Sequence, residues 1–404
     1  MNNLMASVLG LLIVAILVAI IARRLRLPYI VGLVFAGVCL AFSPIHLGVS
    51  LTRTVIFGVI LPPLLFEAAL SIQWKDLRQD ALPILSLAIP GTVIAAVVIT
   101  LAAHYGLNWP LTSSVMFGTL IAATDPVAVI ATFRDNHVQG RLRLLVESES
   151  LLNDGVAAVL FALALTWVEA DGQSQLQMAG VAELLATTIG GGILVGAVCT
   201  ALAILLVGRT EDYLVENTVT TVLAYTSFLL AEHWHCSGVL AVVTAGLLMG
   251  NISLISKGRY SRVITEKGQE FSRALWEYIA FIANSFVFLL IGMTVAGIPF
   301  HAFTGKALAL VVFVLFGSRA LTVYPVSALF SHSRWKITLK FQNVLFWGGL
   351  RGALGMALAL SLPQDLPLRS EVVVATFAVV VFSVVVQGLT MPLLLNLLGI
   401  SRHR

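Results

Sequence analysis

Runs of about 20 apolar residues recur along nearly the whole chain, from "LMASVLGLLIVAILVAII" near the start to "VVVATFAVVVFSVVVQGLTMPLLLNLL" near the end. A hydrocarbon core about 30 Å thick takes about 20 helical residues to cross, so each run is read as one transmembrane helix. That ruler predicts about 13 segments, near 4–22, 29–47, 54–72, 81–103, 112–133, 144–168, 181–207, 214–231, 237–254, 275–296, 304–330, 341–362 and 370–397. Only 11% of the residues are charged and the mean hydropathy is +0.98, too little charge to cover a soluble globule. The expected fold is an all-α, polytopic membrane protein.

Charge placement tests the count, because one helix too many would invert every later loop. With the N-terminus outside, the cytoplasmic side receives Arg23, Arg24, Arg26, Lys75, Arg78, Arg134, Arg141, Arg143, Arg209, Lys257, Arg259, Arg262, Lys267, Arg273, Arg334, Lys336, Lys340, Arg402 and Arg404, which is 19 of the 24 Lys and Arg. Outer loops receive Arg53, Lys306 and Arg369, and the C-terminus lies in the cytoplasm. The basic balance thus has a topological meaning, and no basic patch with interleaved aromatics suggests nucleic acid. Cys39, Cys199 and Cys236 are too few and too scattered for a disulfide framework. His233 and His235 flank Trp234 at an outer helix end, where interfacial packing is the expected role rather than metal binding. Loops are short and the chain stops soon after the last segment, so function is expected inside the membrane.

Ionisable residues inside the segments are therefore the informative ones, since each costs roughly 2.5–3.5 kcal/mol at mid-bilayer unless partnered or hydrated. "AATDPVAV" places Asp125 before Pro126, which disfavours helix before it and supplies no donor. A break is predicted there, exposing carbonyls such as that of Thr124 to a cation; Asp125 can also simply cap the second half-helix. "ESESLLNDG" spaces Glu149 four residues from Asn153 and Ser150 four from Asp154, two rows on one helix face. Carboxylates, a hydroxyl and an amide are hard oxygen ligands suited to Na+ or Li+. The alternative for Asp154 is permanent pairing with an arginine. Glu147 reads as a vestibule charge. Glu67, after the double proline of "ILPPLLFEAALSI", is either part of the site or an inner-end residue in water. Arg319 and Arg351 each call for a buried carboxylate. The glycine-rich "GGLRGALG" predicts a second interrupted helix, and segments 4–6 and 11–13 read as an inverted repeat with two discontinuous helices crossing at the midplane.

"LPPLLFEAAL", "ATDPVAV", "ESLLNDG" and "GGLRGALG", in this order, resemble the Na+/H+ exchanger family, specifically bacterial NhaP-type monovalent cation/proton antiporters. The resemblance implies a homodimer in the prokaryotic inner membrane, with a dimerisation unit near 1–80 and 209–303, an ion-carrying core near 81–168 and 304–397, and a linker helix at 181–207. It implies elevator-type alternating access, with Asp154 as main ion and proton carrier and Asp125, Thr124, Glu149 and Ser150 around it. It also implies Arg319 paired with Glu149, Glu67 bonded to Asn153, and electroneutral one-for-one exchange, since Asn153 stands where electrogenic relatives carry aspartate. Proton and cation then compete for one carboxylate, because burial disfavours its charge and a bound cation restores it. No cofactor is implied beyond transported Na+ (or Li+, K+) and H+. Rival readings are a K+/H+ or mixed-cation antiporter using the same site, a channel, and an intramembrane aspartyl hydrolase built on Asp125 and Asp154. No enzymatic activity is expected, the last reading lacking a GxGD-like signature.

Overall fold

Each apolar stretch folds as helix, since a helix satisfies its own backbone N–H and C=O groups where no water can. The computed structural model describes residues 2–25, 27–43, 51–169, 178–252, 265–297 and 305–400, and no strand occurs among them. In chain order the helices are α1 (Asn2–Leu25), α2 (Tyr29–Ala41), α3 (Arg53–Ser71), α4 (Trp74–Gln79), α5 (Ala81–Gly106), α6 (Leu111–Ala122), α7 (Val127–Asp135) and α8 (Arg141–Glu169). They continue as α9 (Ala182–Val207), α10 (Tyr213–His233), α11 (Gly238–Gly250), α12 (Glu266–Ala296), α13 (Gly305–Leu329), α14 (Leu339–Trp347), α15 (Ala353–Leu360) and α16 (Arg369–Leu397). Among the described residues ten stretches are long and apolar enough to cross a membrane, α6 and α7 counting together, while α2 and α11 are shorter apolar helices. Arg26, Lys257, Arg259, Arg262, Arg402 and Arg404 lie outside the described residues, as do parts of the segments expected at 29–47, 237–254 and 304–330.

The helices differ from uninterrupted rods in a physically legible way. Single π-turns occupy Ile56–Ile60 in α3, Ala186–Gly190 in α9 and Ser383–Gln387 in α16. The first directly precedes the α-helical part of α3, which opens on Pro62 and Pro63, residues with no N–H to give the turn before them. The stretch near 341–362 is two short helices separated by residues 348–352.

Two compact units emerge, one of Met1–Ile56, Asp80–Val168 and Asn284–Arg404, the other of Phe57–Gln79 and Glu169–Ala283. Within the first, α5 packs along α6 and α13. There α2 crosses the later half of α12 where Gly37 and Gly292 meet, and Tyr29 Oη lies 2.8 Å from Ser285 Oγ. A Cβ on Gly37 would fall 2.9 Å from the Gly292 Cα and closer still to the Leu289 carbonyl, so only hydrogen permits this approach. Within the second unit, Phe66 packs on Trp276 with ring centres 4.5 Å apart, and the indole donates to Thr220 Oγ1 at 3.1 Å. Buried Glu216 accepts from the Thr265 hydroxyl at 3.1 Å and from its N–H at 3.3 Å, just before α12.

Gly37→Val and Gly292→Val are each expected to destabilise the protein by about 1–3 kcal/mol through overpacking. Gly317→Ala, where a Cβ meets nothing within 4 Å, is expected to be neutral or slightly stabilising. Thermal unfolding of the detergent-solubilised protein separates the two cases.

Candidate functional site

α6 ends at Ala122, and Pro126 stands at the N-cap of α7. The chain leaves α6 with Ala123 in an extended conformation (φ −56°, ψ 139°) and re-enters helix at Val127. The second interruption, between Trp347 and Ala353, passes through Gly348, Gly349, Leu350, Arg351 and Gly352. The two breaks touch: the Asp125 N–H donates to the Leu350 carbonyl at 2.8 Å. The Asp125 carboxylate accepts from the Val127 N–H at 2.9 Å and, weakly, from the Ala353 N–H at 3.4 Å. These donors lie at the starts of α7 and α15, so one carboxylate faces the positive ends of two half-helices. A Cβ on Gly352 would overlap the Asp125 carboxylate, which explains why glycine stands there.

α8 runs past this crossing and presents Glu149, Ser150, Asn153 and Asp154. Asn153 Oδ1 accepts the Thr124 N–H at 3.3 Å, the Thr124 hydroxyl donates to Ser150 Oγ at 3.2 Å, and the Ser150 hydroxyl donates to the Thr124 carbonyl. Ser150 and Asn153 thus close the backbone groups opened by the first break. Glu149, only 2% exposed, receives both arms of Arg319, Nη1 at 2.7 Å and Nη2 at 3.0 Å. Arg319 also donates to the Leu345 carbonyl through Nε at 3.1 Å and Nη2 at 2.9 Å, joining α8, α13 and α14. Both oxygens of Glu149 are therefore engaged, and in this conformation it is a partner for Arg319 rather than an open cation ligand.

Asp154 is different. It remains partly exposed, and among the described residues it makes no hydrogen bond or ion pair. Its field comes from Asp125, Glu149 and Arg351. Among the described residues Arg351 departs from the expectation of a contacting carboxylate: 2% exposed, it donates from Nη1 to the Gly349 carbonyl at 3.2 Å, and its Nε finds no partner there. It acts at longer range, in the fields of Arg319, Glu149 and Asp154. At their formal charges these three carboxylates and two guanidiniums sum to one negative charge, and Asp154 is the carboxylate without a contacting partner among the described residues. Among the described residues no three His, Cys, Asp or Glu side chains converge on one point, so a cation at Asp154 would complete its shell with hydroxyl, carbonyl or water oxygens.

Glu147 accepts from Arg143 at 2.8 Å one turn away. Glu67 lies half-buried on α3 in the second compact unit. Residue-by-residue reading overlooked the Leu345 and Leu350 carbonyls and the fit of Gly352 to Asp125. The glycine run was the available signal, because closely spaced glycines mark close backbone approach.

The sodium/hydrogen exchanger transmembrane family model matches residues 11–397. A Na+/H+ antiporter of Aphanothece halophytica, ApNhaP, is 39% identical over 94% of this chain and 71% of its own. A Na+/H+ antiporter of Halobacillus dabanensis, NhaH, is 33% identical over 98% of each chain. The solved sodium proton antiporter MjNhaP1 of Methanocaldococcus jannaschii has a similar fold, with a TM-score of 0.74 at 19% identity over 98% of this chain and 100% of that one.

Removing Arg319 should strand Glu149 as an unpaired buried charge. Arg319→Gln is expected to cost about 3–5 kcal/mol, and Glu149→Gln in the same chain to restore part of it. A double-mutant cycle on thermal unfolding reads the coupling.

Proposed function

The chain belongs to the sodium/hydrogen exchanger family, and on that premise we propose that it exchanges Na+, and also Li+, for H+ one for one through the Asp154 site. It is a multi-pass membrane protein working as a cation/proton antiporter, and we place it in the inner membrane. The observation that carries the reading is Asp154, a partly exposed carboxylate with no committed partner in a cluster carrying one excess negative charge.

Chemically, a desolvated carboxylate is neutralised either by a proton or by a cation whose charge favours ionisation, so each expels the other. Asp125 and Thr124 contribute oxygens near the break, Ser150 and Asn153 hold Thr124, and Arg319 neutralises Glu149. Arg351 tempers the residual charge without occupying Asp154. Glu67 bonded to Asn153 belongs to the same proposal. One exchangeable charge per cycle makes the exchange electroneutral.

The two broken helices allow the site to be carried between the two sides. In our reading a core near 81–168 and 304–397 moves as an elevator against a dimerisation unit near 1–80 and 209–303 of a homodimer, with 181–207 as linker. Thirteen crossings, the N-terminus outside and the C-terminus inside complete the topology, which rests on the distribution of Lys and Arg.

Purified protein in liposomes, with an acid interior and a pH-sensitive dye, tests this directly. Added Na+ or Li+ is expected to dissipate the gradient at a rate unchanged by a valinomycin clamp. Asp154→Asn is expected to abolish exchange while keeping the elution profile and unfolding temperature of the parent. A response to K+ alone would reassign the cation, and substantial exchange by Asp154→Asn would remove that residue from the central role.

A further inference from the structure

Arg141 opens α8, directly after Gly140 in a left-handed turn (φ +78°). Its guanidinium is engaged on nearly every side. Nε donates to both Asp80 oxygens at 3.0 and 3.1 Å, and Nη2 donates to Asp80 Oδ1 at 2.7 Å and to the Trp335 carbonyl at 3.0 Å. Nη1 donates to the Lys336 carbonyl at 2.8 Å. Asp80 directly precedes α5 yet makes no capping bond to it, its carboxylate being given to Arg141. Trp335 and Lys336 belong to the link from α13 to α14.

An exposed Arg–Asp pair contributes little. Here the side chains are 32% and 13% exposed, and the planar fork also takes two backbone carbonyls, a pattern a point charge cannot reproduce. The contact also joins what the site needs joined. α8 bears Glu149 and Asp154, whereas the link it grips leads into α14 and the second break. Arg319–Glu149 makes one bond between these halves; Arg141 makes another, about 12 Å farther along α8. All these residues lie in one compact unit, whose stretch Asp80–Val168 begins with Asp80, so Asp80 goes with the ion-carrying core it directly precedes.

We propose that Arg141 and Asp80 are positioning residues for transport, locking the two halves of the ion-carrying unit into one body and staying closed throughout the cycle. The role rests on the antiport reading; the lock itself does not. Arg141→Lys keeps the charge but loses the fork. Arg141→Lys and Arg141→Ala are each expected to lower the maximal exchange rate by about tenfold, with half-saturating Na+ changed by less than about twofold. Rates equal to the parent's in both variants, or full activity in Arg141→Lys alone, would overturn the proposal.

A second arm separates a lock from a gate. Arg141→Cys with Lys336→Cys, in a chain carrying Cys39→Ala, Cys199→Ala and Cys236→Ala, is bridged across the two halves by a short, reducible bis-thiosulfonate reagent. The bridged form is expected to regain exchange and lose it again on reduction. A bridged form no faster than the reduced one means the contact must open, and overturns the proposal. Amide hydrogen exchange across residues 330–338 tests the lock without reference to transport: it is expected to quicken in Arg141→Lys, and unchanged protection would overturn the lock. Absence of cation-driven exchange in the parent chain would instead count against the antiport reading.

Discussion

Where the two interrupted helices cross, each supplies the backbone partner that the other's break leaves open. A break within a membrane frees N–H and C=O groups that water cannot satisfy, at several kcal/mol apiece. Asp125 and Leu350 bond main chain to main chain, and the Asp125 carboxylate takes N–H groups from the starts of both α7 and α15. Ser150 and Asn153 take up the remaining groups of Thr124. The crossing thereby satisfies its own backbone groups, and α8, bonded to it through Ser150 and Asn153, carries Asp154 within the field of Asp125.

The electrostatics follow from that placement. Glu149 is neutralised at contact by Arg319, whose Nε and Nη2 also donate to the Leu345 carbonyl. Arg351 is buried too, but among the described residues it bonds to the carbonyl of Gly349 two residues away and to no carboxylate, leaving Asp154 influenced rather than occupied. That separation is chemically useful. On the proposed reading, an arginine in contact with Asp154 would compete with the cation for the same oxygens, whereas one acting at a distance would moderate the charge and leave those oxygens free.

Much of this was legible in the chain. The Asp-Pro pair located the first break, the glycine run located the second, and helical spacing put Glu149, Ser150, Asn153 and Asp154 on one face. The division of labour among those four was not legible from their chemistry and spacing, although the family resemblance implied the Arg319–Glu149 pair that the structure forms. Ser150 and Asn153 have the chemistry of ligands but serve the Thr124 backbone, and Glu149 has the chemistry of a carrier but is bound to arginine. Arg141 looked like one more cytoplasmic positive charge, because the carbonyls that give it a specific task belong to residues 335 and 336, far along the chain.

The sequence by itself determined that the chain lives in a membrane as helices, that two of those helices break, and that a small set of buried ionisable groups must do the work. Each conclusion follows from local covalent facts: hydrophobic length, the missing N–H of proline, and the cost of charge in hydrocarbon. Only the tertiary structure decided which carboxylate stays uncommitted. That depends on which donors from distant parts of the chain reach each oxygen, a geometric outcome of packing α8 against two breaks about 225 residues apart that no local pattern encodes.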